Sequence, residues 1–170
     1  EDRRPDEPQR RCLAGPHRTP GAPGPQDLRG DSITIQVDAN GSYDAPKAIE
    51  VGKMLQEHRV YFFEEPCPWE DFEATKQVAD ALEMPVAGGE QDTSCAKFAW
   101  MIRNRALDIV QPDVIYNGGL IRTTRVARLA AAAKMAITPH APQPGYHAAY
   151  MLHFASATPN RSREQEHFHE

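Results

Sequence analysis

Four short apolar stretches of this 170-residue chain each run into an acid or a histidine, and their spacing constrains the fold more than any other feature. Residues 33–37 lead to Asp38, 60–63 to Glu64, 86–89 to Glu90 and 136–139 to His140. The three acids recur at one interval, since 64 − 38 = 26 and 90 − 64 = 26. A strand, a loop and a crossover helix take roughly that many residues, and repeated crossovers of this kind build parallel sheets and (β/α) barrels. The equal period therefore predicts three carboxylates at the same end of adjacent strands, the end where a barrel carries its chemistry.

The intervening residues fit that scheme. Ile33, Ile35 and Val37 alternate with Thr34 and Gln36 as a strand does. Asp44 is placed to cap a helix whose Ala48, Val51, Gly52 and Leu55 share one face. The run 60–63 suits a buried parallel strand, and residues 70–82 place Ala74, Val78, Ala81 and Leu82 together on a second helix. A third helix begins after Thr93 or Ser94, residues 108–111 form a strand, and Val126, Leu129, Ala130 and Ala133 mark a fourth helix. A last helical stretch covers about 146–155, and residues 161–170 are too polar for a closing strand. Gly118-Gly119 reads as a tight loop after a strand rather than a phosphate cradle.

Composition limits the partners and the domain plan. The net charge of −5 gives no field that would attract nucleic acid or an anionic membrane, so a small molecule is the expected partner. Cys12, Cys67 and Cys95 lack metal-ligand spacing and point to a reducing, cytoplasmic compartment. No apolar run reaches the ~18 residues of a membrane span. Residues 1–30, rich in Pro, Arg and Gly, read as a disordered leader of non-native origin, residues 31–160 as the folded domain and 161–170 as a polar tail. A complete (β/α)8 barrel needs about 250 residues, so the expected fold class is α/β with an incomplete barrel.

Taken in order, Val37-Asp38-Ala39-Asn40, Phe63-Glu64-Glu65-Pro66, Gly88-Gly89-Glu90-Gln91, Gln111-Pro112-Asp113 and Thr138-Pro139-His140 resemble the barrel domain of the enolase superfamily, in its mandelate racemase/muconate lactonizing enzyme family. The spacing from Asp113 to His140 favours the mandelate racemase branch, because the muconate-lactonizing branch uses lysine in place of this histidine. The resemblance implies a partial TIM-type barrel, about strands 3 to 7 of a (β/α)7β-like barrel, with the capping domain absent. It implies that Asp38, Glu64 and Glu90 hold Mg2+ and that Asp113 and His140 form a dyad in which the histidine is the base. Asn40, for which a turn role serves equally well, and Glu166 become candidate substrate contacts, whereas Glu65 is expected to stand behind the ligands or in solvent. His147, His153, His167 and His169 show no persuasive spacing.

The chemistry implied is removal of the proton next to a carboxylate, giving an enediolate that a hard divalent cation stabilises. The product would come from loss of a β-hydroxyl, as in acid-sugar dehydratases, or from racemisation. Relatives carry a Lys-x-Lys pair about thirty residues before the first metal ligand, and here no lysine precedes Lys47, which disfavours two-base racemisation. The alternative is a catalytically inert barrel fragment that keeps the metal site and works only when missing segments complete it. A small carboxylate substrate and a homo-oligomer or self-associating state are the expected partners.

Overall fold

The computed structural model describes residues 34–141 and 144–162. The leader expected over residues 1–30 lies outside them, as do Glu166 and all of the tail beyond Ser162. Strands and helices alternate as β1 Gln36–Asp38, α1 Ala45–Glu57, β2 Phe62–Glu64, α2 Phe72–Ala81, β3 Val86–Gly88, α3 Cys95–Asn104, β4 Ile109–Val110, α4 Leu120–Ala132, β5 Ala136–Ile137 and α5 Tyr146–Ser156. All strand pairs are parallel, in the order β1-β2-β3-β4-β5. The architecture is α/β and corresponds to part of a TIM-type barrel. No helix among the described residues is long and apolar enough to cross a membrane.

Local chemistry explains the helix starts. The side chains of Asp44, Asp71 and Ser94 accept from the backbone N–H groups of Lys47, Ala74 and Lys97, satisfying donors that a helix leaves open in its first turn. Helix α1 ends at His58, and Arg59 follows with φ 59°, a left-handed turn that leads the chain into β2. Helices α1 and α2 approach closely at Gly52, where a Cβ would overlap the side chain of Leu82.

Side-chain alternation along the strands separates two apolar layers. Phe63, Val86, Val110 and Ile137 join Val78, Phe98, Ile102, Val126 and Ala130 in the core between sheet and helices. Phe62, Ala87 and Ile109 form a smaller buried cluster of their own. Glu64, two residues beyond Phe62, shares its side of the sheet, so the acids at the strand ends stand above that second layer.

The register corrects one expectation. Asp38 pairs with Glu64, but Glu64 pairs with Ala87, so Glu90 stands beyond the level of Glu64. Strand β3 stops at Gly88, and Glu90 lies in the turn that follows. At the far side of the sheet the chain returns to β5. Ile137 N–H donates to Asn160 O at 3.1 Å, Ser162 N–H donates to Ile137 O at 2.9 Å, and Arg161 forms an isolated parallel bridge with Ile137. The Oγ1 of Thr138 and the Oγ of Ser162 lie 2.6 Å apart, a pairing that lets a polar segment reach the sheet.

Candidate metal and proton-transfer site

Glu64, Glu90 and His140 converge above the C-terminal ends of the strands. Each offers one ligand atom, and the three atoms lie within 4.8 Å of one another. His140 Nδ1 is 2.8 Å from Glu90 Oε2, with only 13% and 12% of the two side chains exposed. Glu90 gets its position from Gly89, whose φ of +111° is open to glycine and whose missing Cβ would meet Phe98 Cε1 at 2.8 Å. A side chain at 89 would be strained by that φ and would press on the Phe98 ring.

Asp38 stands one strand away from Glu64 in direct register, yet it is exposed to solvent. Its Oδ1 accepts the backbone N–H of Asn40 at 2.7 Å. Asn40 itself is exposed and takes a left-handed φ of 47° in the turn, so its observed part is that of a turn former. Of the three carboxylates expected to hold Mg2+, Glu64 and Glu90 fall in one cluster with His140, and Asp38 stands in register beside Glu64 but outside that cluster.

Glu65 is also buried, with 4% of the residue exposed, and its Oε2 accepts from Gln91 Nε2 at 3.1 Å. Burial pushes its pKa up to about 7, and the negative charges of Glu90 and Asp38 act in the same direction. Asp92 is likewise raised by burial, against the opposing pull of Lys97, whose Nζ lies 2.7 Å from Asp92 Oδ1. This crowd of acids is an environment that a bound cation would relieve. The Cys67 thiol, pushed up to about 11 by burial, is not a nucleophile at neutral pH.

Asp113 is fully buried at the end of β4 and pairs with His140 as an isolated parallel bridge of the backbone. Its side chain also has contacts of its own. Oδ1 accepts the backbone N–H groups of Ile115 and Tyr116 at 2.6 and 2.8 Å, and Oδ2 lies 3.2 Å from His147 Nε2. Sequence reasoning missed His147. A signal existed: His147, Met151, Phe154 and Ala155 form the buried face of α5, so the histidine is carried inward by an apolar helix. The amides of Gly118 and Gly119 donate to Ile115 O and Val114 O, as a tight loop requires. Glu166 lies outside the described residues.

The profile of the Enolase C-terminal domain-like family matches residues 26–170. Arabinonate dehydratase of Saccharolobus solfataricus is 33% identical over 132 residues, which is 78% of this chain and 35% of that protein. Among solved structures, L-talarate/galactarate dehydratase from Salmonella typhimurium has a TM-score of 0.70 at 33% identity, covering 76% of this chain and 32% of that one. A mutant of that enzyme is liganded with Mg and L-glucarate. A mandelate racemase/muconate lactonizing enzyme-like protein from Roseovarius has a TM-score of 0.76 at 30% identity, covering 82% of this chain and 35% of that one. The chain thus spans about a third of the length of the relatives it matches. The parallel sheet, the acids and histidine at its rim and the match over most of its length agree: the chain belongs to the Enolase C-terminal domain-like family of the enolase superfamily.

Proposed function

We propose that this rim serves abstraction of the α-proton from a hydroxy-acid or sugar-acid carboxylate, followed by dehydration or racemisation. The convergence of Glu64, Glu90 and His140 within 4.8 Å at the strand ends carries the reading. Glu64 and Glu90, with Asp38 from the neighbouring strand, would hold Mg2+. When bound, the ion supplies positive charge against the carboxylate that becomes more negative as the proton leaves. His140, with 13% of its side chain exposed, accepts that proton. Asp113, held by its own turn and by His147 and bridged to His140 through the backbone, would fix the tautomer of that imidazole and stabilise the imidazolium that forms. Loss of a β-hydroxyl then gives the dehydrated product, and the names of the relatives support a polyhydroxy acid as substrate. Racemisation would need a second base on the opposite face. The free thiols of Cys67 and Cys95 suit a reducing cytoplasm.

A second reading has its own observation. Asp38 is exposed and β1 is the edge of the sheet among the described residues, as expected of a metal-holding piece that turns over only when further chain completes the barrel. Proton exchange into a panel of acid sugars in D2O with Mg2+, followed by NMR, separates the two. Exchange by the chain alone supports the first reading, and His140→Asn should reduce it by about 10²–10⁴-fold while Mg2+ still binds. Exchange that survives in His140→Asn sinks the base assignment. Mg2+ binding without exchange favours the second reading. Glu64→Gln should abolish the Mg2+-dependent rise in melting temperature.

A further inference from the structure

The geometry points to a second metal preference at this rim: we infer that Glu64, Glu90 and His140 form a binding site for a borderline divalent transition cation, such as Zn2+, that occupies His140 and so blocks its action as a base. The inference rests on the reading of the rim as a metal site and adds its selectivity and a mode of inhibition. The observation is the composition of the cluster. Its third member is an imidazole, and the third carboxylate, Asp38, stands outside it.

Donor type decides which ion such a set prefers. Mg2+ is hard, takes oxygen ligands and gains little from an imidazole. Zn2+ takes carboxylate oxygens and imidazole nitrogens together, at about 2.0–2.2 Å, and tolerates four-coordination with one position open. Ligands arranged tetrahedrally at such distances lie roughly 3.4 Å apart. The 2.8 Å between His140 Nδ1 and Glu90 Oε2 therefore needs a slight opening, and the 4.8 Å limit of the cluster a slight closing, both within side-chain rotation. Burial favours the site as well, since Glu64 is 4% and Glu90 9% exposed and a cation between them is poorly screened by water.

The blocking effect follows from the two ring nitrogens. If the cation takes Nδ1, the atom that faces Glu90, then Nε2 keeps its hydrogen and cannot accept another. If it takes Nε2, the lone pair needed for the α-proton is already shared. Either way the imidazole is lost as a base while the cation remains.

The test is a double dissociation on chelator-stripped protein, with Zn2+ and Mg2+ as the probes. Loss of a group that merely orients a metal ligand costs about 10–100-fold in affinity, so His140→Gln should weaken Zn2+ by at least ~100-fold and leave Mg2+ unchanged. Asp38→Asn should do the reverse, weakening Mg2+ and sparing Zn2+. Glu64→Gln should weaken both. Zn2+ affinity that survives His140→Gln, or that falls in Asp38→Asn as far as Mg2+ does, overturns the inference. Mg2+ binding with no Zn2+ binding overturns it and leaves the proposed function standing, whereas binding of neither ion ends both. Should His140→Gln fail to fold, 15N-histidine spectra of the unsubstituted chain decide. Zn2+ must shift one imidazole nitrogen in a manner that Mg2+ does not, and that shift must vanish in Glu64→Gln. A shift that persists there belongs to a surface histidine and overturns the inference.

Discussion

Glu64 and Glu65 are adjacent acids with different tasks, and strand alternation separates them. Glu64 follows Phe62 on one side of the sheet and reaches the cluster with Glu90 and His140. Glu65, with φ 36°, turns away to accept from Gln91, and burial raises its pKa from 4.5 to about 7. A carboxyl whose pKa is higher in the folded state stabilises the fold while protonated. That contribution is full below about 4.5 and is lost as the pH rises through about 7. The metal-free protein should therefore melt progressively lower over this range. Glu65→Gln, which keeps an oxygen for the Gln91 amide, should melt with a visibly smaller fall when compared in chelator at either end of the range. Equal falls in the two proteins would assign the pH dependence to other groups. The Glu-Glu-Pro motif showed which acid was the candidate ligand, but not that its neighbour is buried. Likewise Asp113 and His140 stood out in their motifs, whereas the signal for His147 lay only in its place on the apolar face of α5.

At the scale of elements, the caps were legible and the links between loops were not. Asp44 and Ser94 sit where their residue type predicts, because capping is a contact over three residues that sequence displays directly. The shift of β3 against β2 was hidden, since a period counts residues between strands and says nothing of their stagger. Lys97 was hidden for the same reason. From the first turn of α3 its Nζ meets Asp92 at 2.7 Å, donates to Trp69 O and lies 4.5 Å from the Trp69 ring centre and 5.2 Å from that of Phe72. It thereby ties the loop after β2 to the loop that carries Glu90. Its side chain is 13% exposed and that of Asp92 3%, so removing one partner leaves a charge with little water. Lys97→Met should cost roughly 3 kcal/mol in urea unfolding. The double variant Asp92→Asn/Lys97→Met should recover part of that loss, because it removes the stranded carboxylate. A double variant no more stable than Lys97→Met would mean that the aromatic contacts, and not the ion pair, hold the loops.

For the molecule as a whole, the decisive feature is the open side of β1. The sheet ends there among the described residues, and Ile35 is 55% exposed. Ile35 O accepts from Tyr61 and Ala39 N–H donates to Glu64, so these odd-numbered residues direct their backbone groups to β2. Alternation in a parallel ladder then turns the backbone groups of Gln36 and Asp38 to the open side, where they form a template for another strand. In a closed barrel that strand comes from further chain; without one, a second copy can supply it. The 170-residue polypeptide should accordingly self-associate as its concentration rises. Gln36→Pro is the discriminating change, because proline removes an outward N–H, is tolerated on an edge strand and leaves the bonds to β2 in place. Sedimentation should show the unsubstituted chain as a dimer or larger species and Gln36→Pro shifted towards monomer, with the same helical signal in both. If the unsubstituted chain stays monomeric across the concentration series, the edge is already covered. If Gln36→Pro associates equally well, the contact lies elsewhere, and the exposed Tyr146 and Leu152 of α5 become the surface to alter next.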